Sequence, residues 1–124
     1  MYLIDTSAWI NFLRKRDDRL VPFLESRTAA HTDIVVFELL SGIPSADQSE
    51  LNRFLALFAS LPLTQAAALK AAAVASTMRR AGTRPQTTDM LIAGVALIHD
   101  ATLIHRDSDF ERIKRYCPLS TIEL

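Results

Sequence analysis

Residues 87–110 read Thr-Thr-Asp-Met-Leu-Ile-Ala-Gly-Val-Ala-Leu-Ile-His-Asp-Ala-Thr-Leu-Ile-His-Arg-Asp-Ser-Asp-Phe. Met90 to Ile98 is apolar at every position, the pattern of a helix enclosed by protein on all sides rather than lying on a surface. Thr87 or Thr88 can cap that helix, which puts Asp89 in its first turn. His99 and Asp100 turn the chain, and Ala101 to His105 reads as a short buried strand. The strand empties directly into Arg106-Asp107-Ser108-Asp109. In open parallel sheets, chemistry gathers at the carboxyl ends of strands, so Asp107 falls where a reactive group belongs.

The N-terminus repeats this layout. Tyr2-Leu3-Ile4 is a brief apolar strand followed at once by Asp5-Thr6-Ser7, and Ala8 to Leu13 then has helical character with Trp9, Phe12 and Leu13 on one side. Thr6 or Ser7 can cap this helix, leaving Asp5 between a strand end and a row of helix amides. Arg14-Lys15-Arg16-Asp17-Asp18 is a charged turn, Leu20 to Leu24 a second helix behind Pro22, and Ala29 to Ile34 another short strand. The run Ile34 to Ser41 stops at Gly42 and carries Glu38 among apolar neighbours, where an ionised carboxylate is costly without a partner. Pro44 to Asp47 precede a helix over Leu51 to Leu61. Thr64 caps an alanine-rich helix through Arg80 that ends at Gly82, Phe110 to Arg115 forms a short helix, and Leu119 to Ile122 supplies a last strand. Strands alternating with helices define an α/β domain with a mainly parallel sheet.

With 124 residues the chain suits one domain spanning 1–124. Lys plus Arg and Asp plus Glu number 14 each, so bulk charge names no partner. The longest apolar run is far short of the roughly 20 residues that cross a bilayer, and Met1 leads straight into a strand; we expect a cytoplasmic protein that does not engage a membrane. One cysteine, Cys117, and three dispersed histidines, His31, His99 and His105, offer neither a disulfide nor metal-ligand spacing. Arg79, Arg80 and Arg84 crowd ahead of Asp89, where they either complete a helix dipole or hold an anionic polymer.

Parallel strands joined by right-handed crossovers point one way, so Asp5, Asp89, Asp107 and Glu38 can converge at one sheet edge. Clustered carboxylates raise one another's pKa unless a cation neutralises them. An oxygen-only shell selects a hard ion, Mg2+ or Mn2+, which suits phosphodiester hydrolysis by metal-activated water.

In order along the chain, Tyr2 to Ala8, Val35 to Gly42, Thr87 to Ala93 and Thr102 to Phe110 resemble the motifs of PIN-domain ribonucleases, most closely the VapC toxins of type II toxin–antitoxin modules. The resemblance covers essentially the whole chain. It implies a three-layer α/β/α sandwich and a quartet of Asp5, Glu38, Asp89 and Asp107 that is both catalytic and metal-binding. It also implies Thr6 as the hydroxyl supporting the first acid, an RNA substrate, a homodimer, and a VapB antitoxin that obstructs the site. Trp9, Phe12, Phe54 and Phe58 are our candidates for the antitoxin contact. Two features depart from the pattern or leave it open. His105 stands where the family often has Thr or Ser, and Asp107 and Asp109 compete for the fourth acid; Asp107 leaves the strand sooner, while Asp109 is better placed to cap the following helix. Two other readings remain: a PIN-like module that binds RNA or protein without turnover, and a signalling receiver domain, for which the only lysine near the last acid is Lys114.

Overall fold

The structure is a computed structural model that describes all residues 1–124. Strands β1 (Tyr2–Ile4), β2 (Ala29–His31), β3 (Ala59–Ser60), β4 (Thr102–His105) and β5 (Thr121–Glu123) form one sheet in the order β3-β2-β1-β4-β5, parallel throughout. Leu3 pairs with Ala30 on one side and Leu103 on the other, and Ile4 with Ile104. Successive strand residues face opposite sides of a sheet, and Leu3, Ile4, Leu103 and Ile104 are all fully buried. Both faces are therefore covered by helices, as a parallel sheet requires. The chain winds from β1 out to β3 and then crosses to β4 on the other side of β1. The order reverses between the carboxyl ends of β1 and β4, which opens a crevice there.

The helices are α1 (Thr6–Lys15), α2 (Val21–Glu25, after a 3-10 turn at Asp18–Leu20), α3 (Asp33–Ser41), α4 (Ser45–Leu55), α5 (Gln65–Arg80), α6 (Thr87–Ile98) and α7 (Asp109–Ile113). Helix α6 is enclosed over Ile92, Ala93, Gly94, Val95 and Ala96, but not on every side as expected: Leu91 and Leu97 are half-buried and Ile98 is exposed. It packs on the small-residue face of α5: Ala67, Ala71 and Ala75 are buried at four-residue spacing, and a Cβ on Gly94 would lie 2.4 Å from the Ala67 carbonyl oxygen. The close approach of the two backbones thus needs glycine at 94, and it fixes the position of α6 and of Asp89 at its start.

Several expected boundaries move. The strand expected over Ala29 to Ile34 ends at His31, and Asp33 already begins α3; β-branched Ile34, Val35 and Val36 favour strand locally, but tertiary packing overrides that preference. The helix expected over Leu51 to Leu61 instead spans Ser45–Leu55, directly after Pro44. The chain then forms β3, two exposed residues too short to show any alternation. Asp5, not Thr6 or Ser7, caps α1, accepting from the Ser7 amide, and Gln86, not Thr87 or Thr88, precedes α6.

Candidate active site at the sheet switch point

Each acid arrives on a different element. Asp5 follows β1, Glu38 lies on α3, Asp89 is in the first turn of α6, and Asp107 and Asp109 follow β4. Carboxylate oxygens of Asp89, Asp107 and Asp109 lie within 4.8 Å of one another. Two unit charges at that spacing repel by about 3 kcal/mol at an effective dielectric constant near 20. Three such pairs approach a domain's whole net stability of roughly 5–15 kcal/mol. The Arg112 guanidinium, 3.7 Å from Asp109 Oδ1, offsets part of that repulsion; the rest favours a retained proton or a bound cation.

Asp89 is the acid on which this repulsion falls. Its pKa is pushed up to about 7, first by burial and then by the charges of Asp5, Asp107, Asp109 and Glu38. Its Oδ2 is buried and has no hydrogen-bond partner. The all-oxygen donor set of Asp89, Asp107 and Asp109 suits a hard divalent ion such as Mg2+ or Mn2+. Asp5 is also raised, by burial above all and by the Glu38 charge, against the lowering effect of its bonds from Ser7.

The supporting bonds differ from expectation. Thr6 Oγ1 donates to Glu38 Oε1 at 2.8 Å rather than serving Asp5. Ser7, read from the sequence only as a cap, is the residue that holds the first acid. Its amide and hydroxyl both donate to Asp5 Oδ2, and the same hydroxyl accepts from the Arg106 amide at 2.9 Å. Ser7 therefore ties the β1 exit to the β4 exit. Arg106 completes the tie, reaching Asp17 at 3.3 Å and, with the Asn11 amide oxygen turned toward it, Asn11 at 2.9 Å. Nothing local in the sequence marks this, because Ser7 and Arg106 lie 99 residues apart.

His105 is fully buried, and its Nδ1 accepts from the Asp107 amide at 3.1 Å. That bond leaves the proton on Nε2, which faces Glu111 at 3.4 Å. The imidazole thus orients the loop bearing Asp107, in place of a hydroxyl. Asp109 does not cap α7: it is the helix's first residue, and Asp107 Oδ1 accepts from the Asp109 amide at 3.0 Å. Asp107 does the capping while both carboxylates face Asp89. Glu38 is half-buried rather than enclosed, with its partner in Thr6.

An open parallel α/β domain with a carboxylate pocket at its switch point defines a class of protein, and the sequence places the chain within one family of it. The PIN-domain family model matches residues 2–116, and the chain belongs to that family. It is 35% identical to a VapC ribonuclease of Mycobacterium bovis and to ribonuclease VapC11 of Mycobacterium tuberculosis, in each case over 93% of this chain and 92% of the relative. Its fold is shared with a chain in the crystal structure of VapBC2 from Rickettsia felis bound to a promoter DNA fragment. There the TM-score is 0.84 at 22% identity, over 99% of this chain and 98% of that one.

Two expectations fail on the structure. Trp9 is fully buried, with Phe12, Phe54 and Phe58 around its ring, so it belongs to the core and cannot be a contact for a partner. The receiver reading fails as well: such domains have the order 2-1-3-4-5, and here Lys114 is spent on Thr121 at 3.2 Å. No helix is long and apolar enough to cross a membrane.

Proposed function

We propose that the protein is a divalent-metal-dependent endoribonuclease, the toxin of a toxin–antitoxin pair. The observation that carries this reading is Asp89: a buried carboxyl, one oxygen unpartnered, its pKa pushed up to about 7 first by burial and then by the acids around it. In this reading Asp5, Glu38, Asp89 and Asp107 hold Mg2+ or Mn2+, with Asp109 supporting. When bound, such an ion activates water, neutralises a phosphate oxygen and stabilises the leaving oxygen. The protein's own part is positional. Ser7 and the α1 amides fix Asp5, Thr6 fixes Glu38, and His105 with the capped turn at Asp107 fixes the β4 exit. Because the Asp89 pKa is pushed up to about 7, a cation held by its carboxylate would bind more tightly as pH rises through that value. The family likeness to VapC ribonucleases supports RNA as substrate.

The candidate contact for a VapB-type antitoxin is a groove of about 390 Å3 lined by Phe12, Leu13, Ile43, Asp47, Glu50, Leu51 and Phe54. Phe12 and Phe54 of the original candidates remain there, whereas Phe58 lines a separate cleft with Leu24 and Leu57. A homodimer is in keeping with the exposed Phe37 and Leu69, and sedimentation velocity reads it directly. We place the protein in the cytoplasm, where its RNA is. The test is purified protein incubated with RNA and Mn2+, with and without chelator, beside Asp5→Asn. Cleavage that needs the metal and is lost in the variant supports the proposal. RNA binding without any cleavage would leave the noncatalytic PIN-like module as the correct reading.

A further inference from the structure

Beside the acids the surface changes sign. A cavity of about 190 Å3 is lined by Asp89 and Asp109 on one side and by Arg84 and Arg112 on another. Through Arg84 and Pro85 it continues into a cleft of about 560 Å3 whose other walls are Arg79, Gly82 and Thr83. The ion pairs of the chain use Arg19, His105, Arg106 and Arg112. Arg79 and Arg84 therefore face this cleft without a carboxylate partner. An arginine that serves only a helix dipole needs no cleft; two that line one, next to a cation site, present guanidinium groups to an incoming anion.

The loop that carries Arg84 is held in shape. Helix α5 ends with the Gly82 amide donating to the Arg79 carbonyl and the Thr83 amide to the Met78 carbonyl, each at 3.0 Å. Gly82 takes φ +86°, which glycine adopts without strain. Thr83 adds a side-chain bond to the Met78 carbonyl at 3.2 Å. The helix end is thereby closed by its own residues, and its basic last turn stays free for a ligand. The larger cleft has no hydrophobic wall, so it offers a basic surface to a passing strand rather than an enclosing pocket.

Building on the ribonuclease reading, we propose that Arg79 and Arg84 form a phosphate lane that receives the RNA strand on one side of the scissile bond, while Arg112 stays paired with Asp109 at the junction. The backbone passes from the acids, where a cation neutralises one phosphate, to the arginines, which take the next. An acidic protein segment would meet the same arginines, and the binding comparison below distinguishes the two.

Full-length Arg79→Ala, Arg84→Ala and the double variant are compared with wild type for Mn2+-dependent cleavage and for binding of a fluorescein-labelled single-stranded RNA of mixed sequence, across salt concentrations. Each single variant is expected to raise KM and Kd by about tenfold, the lower end for a charge-assisted hydrogen bond, with kcat retained. The slope of log affinity against log salt should fall by about 0.7 per arginine, and Arg84→Lys should restore that slope. Wild-type KM and salt slope in the double variant overturn the lane, as does a fall in kcat alone. Wild-type RNA affinity with lost binding of poly-glutamate overturns it in favour of an acidic protein partner. If the wild type itself neither cuts nor binds RNA, the ribonuclease reading has failed and the lane with it, an outcome distinct from the others.

Discussion

Replacing Asp89 by Asn separates the pocket's electrostatics from its catalysis. A carboxyl whose folded pKa lies above its unfolded value stabilises the fold fully below the unfolded pKa and loses that contribution as pH rises through the folded one. For Asp89 these values are 3.8 and about 7. The difference of about 3 units corresponds to roughly 4 kcal/mol, and allowing for screening and local rearrangement we expect on the order of 2–4 kcal/mol. Asn keeps the volume, carries no charge at any pH, and can donate its amide hydrogens to the neighbouring carboxylates. In chelator at pH 8 the Asp89→Asn variant should therefore melt higher than wild type, by roughly 5–15 °C for a chain of this size. The gap should close as pH falls from 7 toward 4. Added Mg2+ should raise the wild-type Tm, by about 2.7 kcal/mol equivalent at a hundredfold excess over Kd, and move the variant far less. Differential scanning calorimetry across pH, with and without metal, reads all of this. A variant that melts at or below wild type in chelator at pH 8 would refute the claim that Asp89 carries a charge the fold resists.

Thr6→Val preserves shape but removes the bond to Glu38; it should raise the Mn2+ concentration for half-maximal cleavage by about 10- to 100-fold, as loss of a bond to a ligating carboxylate does, and an unchanged metal dependence would contradict the role given to Thr6. Phe54→Ala should weaken capture of a cognate antitoxin, seen in titration calorimetry, while the fold persists. Trp9→Ala should instead cost about 3–5 kcal/mol in denaturant unfolding, since its indole is wholly enclosed; a stable Trp9→Ala protein that had lost only antitoxin binding would reverse both statements. Gly94→Ala should destabilise by about 1–3 kcal/mol despite the better helix propensity of alanine, because the Ala67 carbonyl must move; a neutral or stabilising result would show that α5 and α6 separate easily.

How much of this was legible in the sequence depends on the range of the interaction involved. Helix α6 was legible because an unbroken apolar run of that length has one reading, and Thr64 and Gly82 mark the ends of α5 through local hydrogen bonds. Strand direction placed Asp5 and Asp107 at the same edge of the sheet, whereas the nearness of Asp109 to Asp89 depends on the turn after β4 and had no such signal. Strand β3 was not legible, since two exposed residues paired to β2 leave no pattern. The division of labour between Thr6 and Ser7 was hidden because both hydroxyls sit beside Asp5 in sequence, and only the positions of Glu38 and Arg106 decide which acid each one serves. Asp109 was misjudged for a similar reason: an acid ahead of a helix looks like a cap until Asp107 is seen to accept the amide instead. Trp9 was taken for a surface contact because a helical stripe of aromatics looks alike whether its outer edge meets solvent or Phe54 and Phe58.

The most direct test is crystallographic. Crystals soaked in Mn2+ and measured at the manganese absorption edge should show an anomalous peak bounded by the carboxylates of Asp5, Asp89 and the Asp107–Asp109 turn, at metal–oxygen distances near those of a hard divalent ion, about 2.1 Å. A peak held instead by His105, Glu111 and Glu123, the other group of ligand-type side chains lying close together, or no peak near Asp89 at saturating metal, would contradict a cation-dependent acid pocket.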